Sequence, residues 1–183
     1  MKLQLSDLEP NEAARDASIE VAMDWVLTQN IDDIGALELL VVVNMREPSY
    51  RKRLYVYNTL TQTVIESHHT THGQHSCSWF DQAIAKNFSN IPESRMTSLG
   101  AMVIGEIYEG KHGKSRRLHG LEARNNNVEA RDIVIHSASY VTNSYILQRG
   151  MAGCSWGCFA IDPVVWPKLI NTLTEGTLLY CYY

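Results

Sequence analysis

Cysteine is scarce in this chain: Cys77, Cys154, Cys158 and Cys181 are four residues in 183. Four thiols are too few for a disulfide-built scaffold, and a chain of this length can bury a core without one. Basic charge is also short. Sixteen Lys and Arg face 20 Asp and Glu, a formal net charge of −4, which argues against nucleic acid as the main partner because phosphate binding wants a basic surface. No apolar run approaches the ~18 residues of a membrane-spanning helix. The longest, around Leu39–Val43, is strand-sized. The opening MKLQLSDLEP lacks the basic, apolar, small-residue order of a secretory signal. Repeats and low-complexity linkers are missing too. What is present is an ordinary globular composition, 45% hydrophobic and 20% charged.

The pattern along the chain is one helix followed by strands. Ser6 and Asp7 offer an N-cap, with Pro10 in the first turn, and Ile19, Ala22, Met23 and Val26 keep the spacing of one buried helical face. After NIDDIG the period changes. Leu37–Met45, Arg53–Asn58 and Gln62–His69 are rich in branched and aromatic residues and read as strands. Residues 70–100 read as a long irregular excursion, the kind that tends to carry function. Ala101–Tyr108, Arg116–Glu122 and Asp132–His136 are further strands, and Ser137–Trp156 a second long loop. A short helix near Pro163–Thr172 precedes a last strand, TLLYCYY. The expectation is a mainly β fold, with residues 1–30 an N-terminal helix packed on the domain formed by 31–183.

The stretch GCSWGCFA (153–160) sets two cysteines four apart. A metal knuckle would need a second pair, which this sequence lacks. A disulfide between Cys154 and Cys158 would close a tight ring across a glycine. A single working thiol is the third reading. The apolar strand DIVIH ends in His136, which a strand end can aim into a cleft. An imidazole can take a thiol's proton, and backbone amides of Gly157 and Cys158 are candidates for holding an oxyanion. The bland alternative is a buried cysteine and an ordinary strand-end histidine. The run HHTTHGQH offers His68, His69, His72 and His75, but its strand-like approach and Gly73 work against a one-face metal site. Lys111–Asp132 carries six basic residues against three acidic ones. Such a rim suits carboxylates and would favour a thiolate. In RRLHGLE, His119 shares a face with Arg117 and Leu121, which either lines the cleft or packs inside. Tyr140, four after His136, is placed to donate to substrate or to pack the loop.

The order His-Ser-Ala, a loop, then Ser-x-Gly-Cys resembles the active-site signature of L,D-transpeptidases, the YkuD-like cysteine enzymes of bacterial peptidoglycan. FSNIPESRMTSLGAMVIGEIYEGKHGKSRRLHGLEARNNNVEARDIVIHSASYV and GCSWGCFAI resemble the murein subfamily block for block, over roughly residues 37–183. The resemblance implies a β-sandwich-like catalytic domain with an N-terminal helix and a short helix before the last strand. It makes Cys158 the nucleophile and His136 its base, oriented by a backbone carbonyl, with Ser155 and Gly157 shaping the approach to the thiol. It places Trp156, His119, Arg117, His72, Tyr140 and Ser137 as substrate-binding positions. Departures from the subfamily include Cys154 where arginine is usual and Phe159 where proline is usual.

The implied reaction is acyl transfer. Cys158 attacks the L-centre/D-Ala bond of a stem tetrapeptide, and the thioester passes to an amine, giving a 3–3 cross-link, or to water, giving L,D-carboxypeptidase activity. No cofactor and no metal are expected, and the substrate implies the periplasm or cell envelope. Other readings of the same residues are a secreted toxin with this chemistry, a non-catalytic peptidoglycan-binding module, and a zinc hydrolase built on His68–His75.

Overall fold

The computed structural model describes residues 2–29 and 38–183. Leu37, the NIDDIG stretch (30–35) and the 30/31 boundary expected from sequence lie outside the described residues. A 3-10 turn at Leu5–Leu8 leads into helix α1, Glu12–Thr28. The cap is Asn11, whose side chain accepts from Ala14 N. Ser6 and Asp7, expected to cap this helix, instead belong to the turn, because Pro10 and Asn11 break the chain after Leu8. Ile19, Ala22 and Val26 are buried as their spacing predicts, and Met23 packs at their edge.

Eight strands form one mixed sheet: β1 Leu39–Asn44, β2 Leu54–Asn58, β3 Thr63–His68, β4 Gly100–Gly110, β5 Gly113–Gly120, β6 Val134–Ser137, β7 Phe159–Ile161 and β8 Leu178–Tyr182. Their order is β3-β2-β1-β8-β4-β5-β6-β7. β1 pairs with β8, and β6 with β7, in parallel; the other neighbours are antiparallel. The unbroken apolar run of β1 follows from burial on both faces. Leu40 and Val42 meet α1, while Val41 and Val43 enter the larger core on the other side. That larger core also takes Trp166, Leu169 and Ile170 of helix α3, Trp166–Thr172, just before the last strand as expected.

The expected loop Ser137–Trp156 contains a short helix, α2, Asn143–Arg149. Its ends are encoded locally. Thr142 Oγ1 accepts from Tyr145 N, and Gly150 takes the left-handed conformation at the C-terminus with φ 78°. Residues 70–98 hold no helix or full strand and are fixed by side chains instead. Arg53, fully buried, donates to the carbonyls of Thr70 and Glu47. Arg131 donates to Ser89 O and Met96 O.

Candidate active site

β6 and β7 bring His136 and Cys158 into one cleft. Their parallel register sets Ile135 against Phe159 and His136 against Ala160. Cys158 therefore enters β7 on the same side of the pleat as His136, about two strand positions away. Both residues line a cleft of about 590 Å³, together with Tyr108, Lys111, His112, Arg131, Asp132, Tyr140, Cys154 and Trp156 among others. The imidazole is held by its own strand end: Nδ1–H donates to Ser137 O at 2.9 Å. This leaves Nε2 with the basic lone pair. The Cys158 thiol donates to Asp132 O at 3.5 Å rather than to His136.

The segment before the thiol is strapped down. Ser155 N donates to His72 O, Gln74 N to Ser155 O, and Ser155 Oγ to Cys158 O at 2.7 Å. Thr71 Oγ1 donates to Cys158 O as well and accepts from Ala160 N. Gly157 is required here: its φ is 123°, and a Cβ would lie 2.7 Å from both Ile133 Cδ1 and Met96 O. Its N–H, expected from sequence to face an oxyanion, is taken by Ser155 Oγ at 3.1 Å. The serine turns inward and closes the turn on itself.

Charge at the site follows burial. Burial pushes the His136 imidazole down to about 4, against the Ser137 carbonyl, and His112 and Lys111 add to the fall. Burial also pushes the Cys158 thiol up, and the nearby cations Lys111 and Arg131 only oppose this. The basic rim expected to favour a thiolate is largely spent elsewhere. Arg116 donates inward to Ile170 O and Gly105 O; Arg117 pairs with Glu106 at 2.9 Å and lies over Tyr108; Arg124 pairs with Glu122. At neutral pH the resting pair is a thiol and a neutral imidazole.

Trp156 and Tyr140, expected as substrate-binding positions, line the cleft, Trp156 beneath the guanidinium of Arg95 at 4.1 Å. Ser137 contributes its carbonyl to His136. Arg117 and His119 do share a face, but that face holds Glu106 and Glu129 and lies beside the cleft. His72 is buried behind the wall. The four histidines of HHTTHGQH are dispersed onto Glu66, Tyr50 O, Arg53 and Ser94 O, so they form no common site. His112 was not among the expected site residues, although it lies within the basic stretch Lys111–Asp132. Its ring stacks on His136 with centroids 4.2 Å apart. A β-hairpin turn, Gly110–Gly113, carries it there. Among the described residues one cluster has metal-ligand spacing, His72 with Cys77 and Cys154, a different set from the His68–His75 run of the zinc reading.

The model of the L,D-transpeptidase catalytic domain matches residues 13–182. Among curated proteins nothing matches. Solved structures similar to this chain include an L,D-transpeptidase from Mycobacterium smegmatis, 13% identical over 80% of this chain and 59% of its own, with TM-score 0.47. Another, from Stackebrandtia nassauensis, is 14% identical over 90% of this chain and 65% of its own, with TM-score 0.48. The chain spans 58–59% of the length of the first two solved relatives. Because the sequence match runs from the first turn of α1 to the last strand, the chain belongs to the L,D-transpeptidase catalytic domain family.

Proposed function

We propose that this chain is a cysteine acyltransferase of the bacterial cell envelope acting on peptidoglycan stem peptides, with Cys158 as nucleophile and His136 as its base. The observation that carries this reading is the orientation of His136. Its Nδ1–H is spent on Ser137 O, so the nitrogen left with a lone pair shares the cleft with the thiol. A backbone carbonyl does here what a carboxylate does in a triad.

The steps follow from two neutral groups. Substrate binding displaces the thiol from Asp132 O, and a small rotation brings the sulfur to His136 Nε2; such contacts often tighten only in the substrate complex. The thiol proton passes to Nε2 as sulfur bonds to the carbonyl carbon of the L-centre/D-Ala linkage. The oxyanion forms beside the Cys158 amide, Gly157 N–H being held by Ser155 Oγ. Collapse breaks the C–N bond, and the imidazolium gives its proton to the departing D-alanine amine. The thioester then transfers its acyl group to an amine of a second stem, or to water, with His136 taking the incoming proton. The open cleft lined by Tyr140 and Trp156 gives a peptide room to lie across Cys158.

Purified sacculi treated with wild type and with Cys158→Ala test this. The expected result is 3–3 cross-linked dimers, or tripeptide stems, with wild type alone. The same muropeptide profile with both proteins overturns the reading.

A further inference from the structure

Cys77 and Cys154 are remote in sequence, yet their sulfurs and a ring nitrogen of His72 all lie within 4.8 Å of one another. The backbone fixes this meeting. Gly73 bridges Ser155 in parallel, with Gln74 N on Ser155 O at 2.8 Å and Ser155 N on His72 O at 3.0 Å. Cys77 is set by its bridge to Ala85, and its thiol donates to Gln74 O at 3.0 Å. Both cysteines are half-buried free thiols.

Two thiols and an imidazole fit either a soft cation or a sulfur–sulfur bond. His72 decides between them. The buried guanidinium of Arg53 donates from Nη2 to His72 Nδ1 at 2.9 Å. A guanidinium has only donors, so Nδ1 holds the lone pair and Nε2 carries the hydrogen. That Nε2–H is the ring atom facing Cys154 Sγ, at 4.0 Å. A metal-bound histidine has the opposite polarity, with its lone pair on the metal and its outer N–H donating to a carbonyl or carboxylate. This ring therefore has no lone pair to give a cation in the cluster; its hydrogen faces sulfur, and Arg53 opposes the burial and the neighbouring Cys77 that push the Cys154 thiol up to about 11. The Cys158 thiol, by contrast, points to Asp132 O, so Cys154 has Cys77 as its thiol neighbour.

We propose that Cys77 and Cys154 form a reversible disulfide that staples the 70–98 loop to the segment carrying Cys158. The oxidant is a low-molecular-weight disulfide. One protein thiolate attacks it, forming a mixed disulfide and releasing one small thiolate. The second protein sulfur then attacks the protein sulfur of that bond and expels the other small thiolate. The two protein thiols lose two electrons and two protons, and the small disulfide becomes two small thiols. His72 Nε2–H lies 4.0 Å from Cys154 Sγ, beside the negative charge in whichever step that sulfur is the thiolate. The staple goes beyond the acyl-transfer reading and forms whether or not Cys158 acts as a nucleophile.

The test needs no turnover. The 183-residue chain is incubated with oxidised glutathione, quenched with N-ethylmaleimide, denatured, and mapped by non-reducing peptide mass spectrometry. The expected result is a Cys77–Cys154 linked peptide pair that dithiothreitol abolishes, with free thiols falling from four to two. The oxidised protein should also melt higher than the reduced one, and this gain should vanish in both Cys77→Ser and Cys154→Ser. Four thiols still alkylated, a Cys154–Cys158 link, or stoichiometric zinc that protects both cysteines from glutathione would each overturn the proposal.

Discussion

His112 lies flat against His136, with ring centroids 4.2 Å apart and planes 20° from parallel. The contact joins the β4–β5 hairpin to the end of β6, so the residue proposed as base is covered by a ring from another part of the sheet. It also keeps His136 neutral: burial lowers its pKa to about 4, and His112 and Lys111 push in the same direction.

Removing that ring with His112→Ala lets water reach the imidazole and raises its pKa. Because the base works neutral, the acid limb of the kcat/KM profile moves from near 4 towards the ordinary histidine range. The loss is therefore larger at pH 5 than at pH 8. At pH 8 the lost packing of an aromatic pair costs up to about tenfold. The rate of Cys158 acylation by a carbapenem, followed by mass spectrometry across pH, reads both effects. An acid limb that stays in place would show that His112 does not tune the base.

The neutral resting pair has its own signature. A thiolate–imidazolium pair would be alkylated at a nearly constant rate between the two pKa values. Here burial holds the Cys158 thiol above its usual range. Alkylation of the Cys158 peptide by iodoacetamide should be slow at pH 7 and climb about tenfold per pH unit towards alkaline pH. A flat rate from pH 5 to 8 would mean that the ion pair already exists in the free protein.

How much of this was legible in the sequence depends on what kind of contact carries it. The strand ending at His136 showed itself through branched residues, and the thiol through its neighbours Ser155 and Gly157. α1 was visible in the spacing of Ile19, Ala22 and Val26, though its cap was misplaced at Ser6 and Asp7. β7 and α2 were missed because three and seven residues leave too little periodicity to read. The stack of His112 on His136 and the meeting of Cys77 with Cys154 rest on tertiary placement and have no local signal. Arg116 and Arg117 were counted as a charged rim. A strand alternates its faces, so one of these adjacent arginines turned inward to Ile170 O while the other stayed at the surface.

Gly157→Ala and Gly150→Ala separate conformational strain from packing. Both glycines have positive φ, 123° and 78°. An added Cβ at Gly150 meets nothing within 4 Å, so the cost is the left-handed backbone alone, about 1 kcal/mol. At Gly157 the same Cβ strikes Ile133 and the Met96 carbonyl, adding strain of about 1–3 kcal/mol. With about 2–4 °C per kcal/mol for a chain of this size, Gly157→Ala melts several degrees below Gly150→Ala. Equal melting temperatures would mean that the cleft floor yields to the extra carbon.

Three buried histidines make the fold acid-sensitive above the range where carboxylates titrate. Burial lowers His69 to about 4, His72 to about 3 and His136 to about 4. Above pH 6.5 each is neutral in both folded and unfolded chains and contributes nothing to the pH dependence. Below 6.5 the unfolded chain binds protons that the folded one refuses, so stability falls with pH. Each histidine accounts for about 1.4 kcal/mol per pH unit until its folded pKa is reached. The melting temperature should therefore drop steadily between pH 6.5 and 5. His69→Gln, which removes a ring bonded to Tyr50 O outside the cleft, should flatten the slope by up to about a third, because burial lowers His68 and His112 as well, whatever it does to absolute stability. Urea midpoints at pH 7, 6 and 5 for both proteins measure the slope. A wild-type midpoint that does not fall from pH 6.5 to 5 would mean that these rings reach water in the folded state.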